Sequence, residues 1–399
     1  MGVTESKAWN AAEWDYGALQ ADLQMASLWG APSREEIVKR LRNIARRCPH
    51  FYPAILELGL RLLCQKRHRG AERMMEKGFR LMIDLTDPKQ SAENIDGVIE
   101  NLERLWRFDV SRRLLEMLAE RHSLSAILHD SLAHAAARLG DLEAAQRHIG
   151  EALQLERDNK NFWANKGWYH LMRGELKEAD AALAEALRLK QKDPLAAGNL
   201  KILEYLRRHG GTYWDYLERP LDRKQIERLA DQEKWERATD LCTDFNDCRT
   251  EAFAQSALLK GGKERTRLPD LLATLRSFFN FMSQIDSSGI FLNEDISLVH
   301  RNFKPIMHKF IFKFGDVDRE MMEDVFEALQ AYYGFLASRR IVDAAEFTCF
   351  QETILKTKGE LLDKMEQYNA VRHDAAVSEK KKERLREKLF EGDHFWPHI

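Results

Sequence analysis

The sequence has 399 residues, of which 32% are charged and 44% hydrophobic, with a formal net charge of -2. That length accommodates two domains or one extended array, and that balance supports a packed core and excludes wholesale disorder. The near-neutral total excludes a whole-chain field that would recruit nucleic acid or an anionic membrane, and leaves only local patches. The 9 prolines suit a mostly helical chain. No run approaches the roughly 18 apolar residues of a membrane-spanning helix. The N-terminal stretch MGVTESKAWNAAEWDYGALQ carries acids and lacks the apolar segment of a secretory signal. Its Met-Gly start with Ser6 has the form of a myristoylation site, but no polybasic second signal follows. Cys48, Cys64, Cys242, Cys248 and Cys349 are odd in number and form no CxxC pair. They read as reduced thiols of a cytoplasmic protein, with no disulfide framework, no metal site and no cofactor expected.

Residues 1–33 are aromatic-rich and read as an N-terminal cap, with a short helix over 11–27 and a turn at Gly30-Ala31-Pro32. Trp14, Leu19 and Leu23 are expected to face the rest of the chain. Ser33 followed by Glu36 is a capping-box pattern that opens a helix through Arg47, with Ile37, Leu41 and Ile44 at helical spacing. Residues 52–85 form a repeat unit: Leu58-Gly59 opens it, Ala71 follows, then Gly78. Pro53 sits near the first turn of its helix, where a missing N–H costs nothing. The loop Lys66-Arg67-His68-Arg69-Gly70 replaces a short glycine-acid turn. An insertion around Asp87-Pro88-Lys89-Gln90-Ser91 stretches the Ala71-to-Ser111 spacing to 40 residues. Residues 92–125 then fill a degenerate unit. There Phe108 aligns with Leu142 and Leu176, Leu118 replaces an alanine, and Trp106 stands at a glycine position, where it is expected to pack on a neighbouring unit.

Over 126–193 two segments repeat at a spacing of 34. Gly140 is matched by Gly174, Ala145 by Ala179, Ala152 by Ala186, Leu153 by Leu187 and Leu155 by Leu189. These segments resemble tetratricopeptide repeats, a 34-residue helix–turn–helix family with a preferred Trp-Leu-Gly-Tyr, Ala, Phe, Ala, Pro pattern. Trp163, Gly167, Ala179 and Ala186 hold the matching places in the second unit, with Leu183 at the Phe position. Leu132, Ala145 and Ala152 hold theirs in the first. This chain departs at His129 (the Trp position), at Ala133 (the glycine) and at Pro194, which arrives two residues late. Small residues at those points let one helix approach another, and each unit buries its apolar face on the next.

Residues 194–209 supply one more helix, with Leu195, Leu200, Leu203 and Leu206, and Gly210-Gly211-Thr212 marks a domain boundary. No 34-residue period continues over 212–399, which still reads as helical. A helical pair is expected over 222–245, then a loop at Gly261-Gly262-Lys263-Glu264-Arg265. Pro269 starts an apolar helix through Met282. Two helices follow over 293–302 and 305–314, the second opened by Pro305, and Phe310–Phe314 can equally be read as a strand. A helix capped at Asp316 or Asp318 carries Met322, Val325, Phe326, Leu329, Tyr333 and Leu336. Asp343 caps the last long helix. From Ser378 the chain is a charged tail with an aromatic end.

The expectation is therefore an all-α protein: a right-handed superhelical array of tetratricopeptide-like units over 34–209, a second helical region over 212–377, and a tail over 378–399. The resemblance implies that the first helix of each unit lines a concave face that holds an extended peptide or a partner helix. In that family an asparagine early in the first helix often holds ligand backbone, and Asn165 matches that place, with Asn199 one period on. An amide offers both donor and acceptor, so the pair could grip one peptide. His134, Arg138, Trp168 and Met172 fall on the same side, with Trp168 as an aromatic anchor. The lysine-asparagine clamp that some members use on a C-terminal carboxylate has no counterpart, since Asp130, His134, Ala164 and Trp168 occupy those positions.

Residues 34–73 hold eleven basic against four acidic side chains, a local excess that could meet an acidic partner or phosphates. Cys48, His50, Cys64 and His68 lie close in sequence but lack the spacing of a zinc site. Cys242 and Cys248 would not share a helix face, and His394 and His398 lie in the tail without a supporting core. No GxxxxGK[ST], GxGxxG, GxSxG or HExxH pattern occurs. The first functional expectation is a non-enzymatic scaffold for a protein or peptide partner. The second is a nucleic-acid-associated or regulatory protein using the basic stripe. The third is an enzyme with its site in the helical C-terminal half. Oligomeric state is left open.

Overall fold

A computed structural model describes residues 6–25, 32–65, 68–122, 124–284, 290–313, 317–372 and 374–390. Every regular element among them is helical, and the chain is all-α. It divides into two compact units, Met1–Tyr213 with Gly261–Thr266, and Trp214–Lys260 with Arg267–Ile399.

The first unit opens with α1 (Lys7–Gln24), capped by the Ser6 side chain, and α2 (Arg34–Arg47), where Ser33 Oγ accepts from the Glu36 N–H at 3.2 Å as the capping-box reading expects. The first helix starts four residues earlier than the sequence pattern suggests. Its inward face carries Trp9, Ala12 and Leu19, with Leu23 packed beside them, whereas Trp14 is 80% exposed. Trp9 meets Phe51 edge-on with ring centroids 4.9 Å apart.

Helix pairs follow: α3 (Tyr52–Cys64) with α4 (His68–Leu85), α5 (Pro88–Arg104) with α6 (Phe108–Ala119), α7 (Ala126–Arg138) with α8 (Leu142–Leu155), and α9 (Lys160–Arg173) with α10 (Leu176–Leu189). The helix α11 (Pro194–His209) closes the series. Phe108, Leu142 and Leu176 each begin the second helix of a pair, as their alignment predicts. The extra residues around Asp87 do not form an inserted loop. Asp87 caps α5 by accepting from the Gln90 N–H, Pro88 is its first residue, and α4 and α5 run to 18 and 17 residues against 14 in α10. The extra length therefore extends the helices and starts the pair at Pro88, upstream of the expected 92.

Side-chain size at the crossings sets how closely the helices pair. A Cβ on Gly167 would lie 2.6 Å from Leu183 Cδ2 and 3.4 Å from the Ala179 carbonyl oxygen. Gly78 faces Leu56 in the same way, and Ala71, Ala145, Ala152, Ala179 and Ala186 are all buried. The turns between paired helices need a left-handed residue: φ is 83° at Gly140 and 77° at Gly174. Trp106, one period earlier, adopts φ 54° and makes the same turn. The Arg107 N–H bonds the Leu102 carbonyl at 2.8 Å, as Asp141 bonds Ala136 and Glu175 bonds His170, each at 2.9 Å.

Arg107 is 1% exposed. It forks onto Asp109 at 2.9 and 3.1 Å and reaches Glu72 at 2.7 Å, tying α4 to the start of α6. Arg113 takes the other Glu72 oxygen at 3.0 Å. Burial alone would raise the Asp109 pKa, but the Arg107 guanidinium outweighs it and holds the carboxyl below its usual range.

The second unit contains α12 (Tyr213–Leu217, whose first residue lies in the first unit), α13 (Arg223–Asp231), α14 (Trp235–Lys260), α15 (Gly262–Met282, whose residues through Thr266 lie in the first unit), α16 (Ile296–Lys313), α17 (Arg319–Ser338), α18 (Ala344–Arg372) and α19 (Glu379–Phe390). Asp318 and Asp343 cap α17 and α18 through bonds from the Met321 and Ala345 N–H groups, both at 2.8 Å. Three expectations are corrected. Pro269 and Pro305 lie inside α15 and α16 and do not open helices. Residues 310–313 belong to α16, so the strand reading fails there, and Phe314 lies outside the described residues. The charged tail contains α19, whose Leu389 and Phe390 are buried, with the Phe390 ring 6.3 Å from Tyr368. Residues 391–399, with His394 and His398, lie outside the described residues. The core of this unit is aromatic: Phe350 meets Phe303 at 5.4 Å and Tyr333 at 5.5 Å. Buried Arg249 is fully engaged, by Glu294 at 2.8 Å and by the Leu217 and Arg219 carbonyls at 2.6 and 2.7 Å.

Two stability outcomes follow from these contacts. Gly167→Leu is expected to cost about 1–3 kcal/mol by overpacking against Leu183, whereas Gly97→Ala, exposed within α5 with open space around it, is expected to gain about 0.5–1 kcal/mol from helix propensity. Urea unfolding of both variants checks the contrast. Arg107→Met leaves Asp109 without its guanidinium partner, while Glu72 keeps Arg113, and is expected to cost about 1–3 kcal/mol at neutral pH. Because the folded Asp109 pKa is depressed, its contribution is complete above the unfolded value of about 3.9 and is lost as pH falls through the folded one. The gap between wild type and Arg107→Met should therefore narrow when unfolding is repeated at about pH 3.

Candidate functional site

In α5, α7 and α9, the first helices of three successive pairs, the polar residues that point away from the core lie side by side. Spacing of three or four residues puts Asp130, His134 and Arg138 on one edge of α7. Opposite them on α9 are Asn165, Trp168 and Met172, and on the other side lies Glu103 of α5. All are half-buried.

Contacts connect these side chains into one strip. Asn165 Nδ2 donates to both Asp130 oxygens, at 2.9 and 3.1 Å. Arg138 Nε lies 3.2 Å from His134 Nε2, and His134 Nδ1 lies 3.3 Å from Glu103 Oε2. The Arg138 guanidinium sits among three rings, 4.9 Å from Trp168, 5.1 Å from Trp106 and 5.6 Å from Phe108. The His134 ring lies 5.3 Å from Phe108 and 5.9 Å from Trp168, and Trp168 extends the aromatic run to Tyr213 at 6.4 Å.

The electrostatics follow from burial. The Asp130 carboxyl is pushed up by desolvation and by Glu103, and pulled back by the Asn165 amide and by His134. Tyr169, fully buried beneath the strip, is held well above its ordinary pKa, first by burial and then by Asp130. Its hydroxyl and Glu103 Oε1 are buried without a hydrogen-bond partner among the described residues.

Of the six residues singled out in the sequence, His134, Arg138, Asn165 and Trp168 meet in this strip. Met172 is half-buried and packs on the core cluster of α7–α9. Asn199 departs from expectation. It is 7% exposed, and its Nδ2 donates to the Ala164 carbonyl at 3.1 Å. It joins α11 to α9 internally, and the two amides do not present a matched pair outward. Trp106, Phe108 and Glu103 were not among the expected site residues. The one sequence signal for them was a tryptophan at a glycine position.

Part of the basic stripe is engaged in ion pairs. Arg40 pairs with Asp22 at 2.6 Å, Arg61 with Glu57 at 2.7 Å, Lys39 with Glu36 at 3.7 Å, and Arg47 with Asp15. Arg40, Arg46 and Arg47 line a surface cleft that also contains Asp15. Residues 66 and 67 of the stripe lie outside the described residues.

Among the described residues no helix is long and apolar enough to cross a membrane. Residues 18–82 match the model of the Myxococcota tetratricopeptide repeat protein family. No curated protein sequence matches the chain. A solved structure similar to it is the crystal structure of the P58(IPK) TPR domain, aligned over 90% of this chain and 95% of that one, at 12% identity and a TM-score of 0.24. The family match falls upstream of the 126–193 repeats and covers the α3–α4 pair almost completely.

Asn199→Ala is expected to lower the thermal midpoint, because it removes the buried side-chain bond that joins α11 to the Ala164 carbonyl, worth about 0.5–1.5 kcal/mol. Asn165→Ala, at a half-exposed position, should move it less. Calorimetric unfolding of the two variants is the check. Residues 18–82, which include nearly all of the α3–α4 pair, are thus similar to a tetratricopeptide repeat family.

Proposed function

We propose that the first unit is a non-enzymatic protein-interaction scaffold that holds an extended peptide or helical segment of a partner along the strip of Glu103, Asp130, His134, Arg138, Asn165 and Trp168, with Trp106 and Phe108 as its aromatic border. Repeat arrays in general use the surface made by successive first helices for binding. The observation that carries the reading is the Arg138 guanidinium held among Trp106, Phe108 and Trp168. Tryptophan and arginine dominate binding hot spots, because they combine large contact area with directional polar groups. Trp106 supports it further. A bulky residue in the left-handed region costs on the order of 1–3 kcal/mol, and such strain clusters at binding and switch sites.

Asn165 keeps the backbone-holding role expected of it, with Asp130 orienting its amide nitrogen. The partner is a protein, and the molecule acts in the cytoplasm. The ion pairs of Lys39, Arg40, Arg47 and Arg61 weaken the case for phosphate binding as the main activity.

The test uses the full chain to select binders from a random displayed-peptide library, then measures them against variants. Trp106→Gly keeps the turn, since glycine fits that backbone, and removes the ring. Trp168→Ala and Arg138→Gln remove the anchor and the charge. Each is expected to weaken selected peptides by about 2 kcal/mol, roughly thirtyfold, with unchanged far-UV circular dichroism. Peptides that bind the triple variant as tightly as wild type would sink the proposal.

A further inference from the structure

A second cluster lies within the α7–α8 pair. His129 of α7 and His148 and Glu151 of α8 bring three metal-ligating atoms together. The two Nδ1 atoms are 3.3 Å apart, and Glu151 Oε2 lies 2.9 Å from His129 Nδ1 and 3.1 Å from His148 Nδ1. We propose that His129 Nδ1, His148 Nδ1 and Glu151 Oε2 bind one divalent transition cation of the zinc class, with the fourth position taken by water.

The size of the triangle supports this. Zinc holds nitrogen and oxygen ligands at about 2.0–2.1 Å in a tetrahedron, which separates neighbouring donors by about 3.3–3.4 Å. The observed edges fall within a few tenths of an ångström of that, so the ligands need only spread slightly. The donor set is also right. Two imidazoles and one carboxylate suit zinc, cobalt or nickel, and suit the harder magnesium and calcium poorly. Without a cation the cluster is awkward. If both neutral imidazoles donate Nδ1–H to the one oxygen, two N–H groups meet head to head at 3.3 Å. A cation instead accepts all three lone pairs at once.

Access and backbone support fit as well. The His129, His148 and Glu151 side chains are 16%, 20% and 40% exposed, so an ion and its water can reach the site. His148 and Glu151 lie three apart on one helix, which puts them on one face. His129 comes from the other helix of the pair, so a bound ion ties the two helices together. The site shares no residue with the Arg138 strip, and the inference stands whether or not the scaffold reading holds.

The test titrates the full chain with Zn²⁺ and with Co²⁺. One Co²⁺ is expected to bind with the visible absorption of tetrahedral nitrogen and oxygen coordination and without a thiolate charge-transfer band. Zn²⁺ should raise the thermal midpoint by mass action. His129→Ala, His148→Ala and Glu151→Gln should each weaken binding by more than about tenfold and abolish the thermal shift. Glu151→Gln keeps the shape of the side chain, so its loss of binding with intact metal-free helicity separates ligation from folding. A thiolate band would place the ion on a cysteine, with Cys64 and Cys349 the exposed ones, and would overturn the proposal. Unweakened binding in the three variants would overturn it too.

Discussion

The first unit depends on how closely two helices can approach where a side chain is missing or reduced to a methyl group. At Gly167 the facing atoms are the branch of Leu183 and the Ala179 carbonyl. At Gly78 they belong to Leu56. Packing of this density leaves no room for another carbon, so the crossing is fixed to within a fraction of an ångström. Each pair then presents the same apolar face to the next, and burial accumulates between neighbours rather than around one central core. The residues on the outer edge of each first helix take no part in that packing. They are free to be polar or aromatic, and they recur in register with the helices.

The same economy explains why Trp106 is informative. Gly140 and Gly174 adopt a left-handed backbone at no steric cost, whereas Trp106 does so against its own Cβ. The turn itself would be served better by glycine. What the indole adds is contact with Phe108, at 5.8 Å, and with the Arg138 guanidinium of the following pair. Cation–π contact and ring packing are each worth on the order of 1 kcal/mol, comparable with the strain. The strained residue is thus held by the same groups that make up the candidate site.

How much could be read in the sequence varied with the range of the interaction. The 34-residue period gave the pairs, and capping chemistry placed Ser33 and Asp343 correctly and narrowed a third cap to Asp316 or Asp318, because both are local. Placement of Pro269 and Pro305 failed because a proline inside a long helix can be tolerated when tertiary packing holds the flanking turns. Trp14 was wrongly grouped with Leu19 and Leu23, because five residues turn a helix by about 140° and place it on another side. The strip was half legible. Helical spacing put His134, Arg138, Asn165 and Trp168 on one side, but nothing in a linear pattern showed that Glu103 and Phe108 reach them from the preceding pair. Asn199 shows the limit of alignment by period. It occupies the same repeat position as Asn165, yet it lies on the closing helix, where the Ala164 carbonyl is its nearest partner. Asn165 has Asp130 beside it instead.

One helix, α7, serves three purposes, and its periodicity keeps them apart. Ala133, Ala136 and Ala137 are buried and let its neighbours come close. Asp130, His134 and Arg138 recur every four residues and meet α5 and α9. His129 is only one residue from Asp130, but consecutive helical positions are about 100° apart, so it turns to α8 and meets His148 and Glu151. Its alanine face explains how so many groups fit. Short side chains draw the flanking helices in until residues from three other helices, α5, α8 and α9, come within hydrogen-bonding distance of α7. A larger residue at Ala133 or Ala137 would open both clusters together, although neither residue belongs to either one.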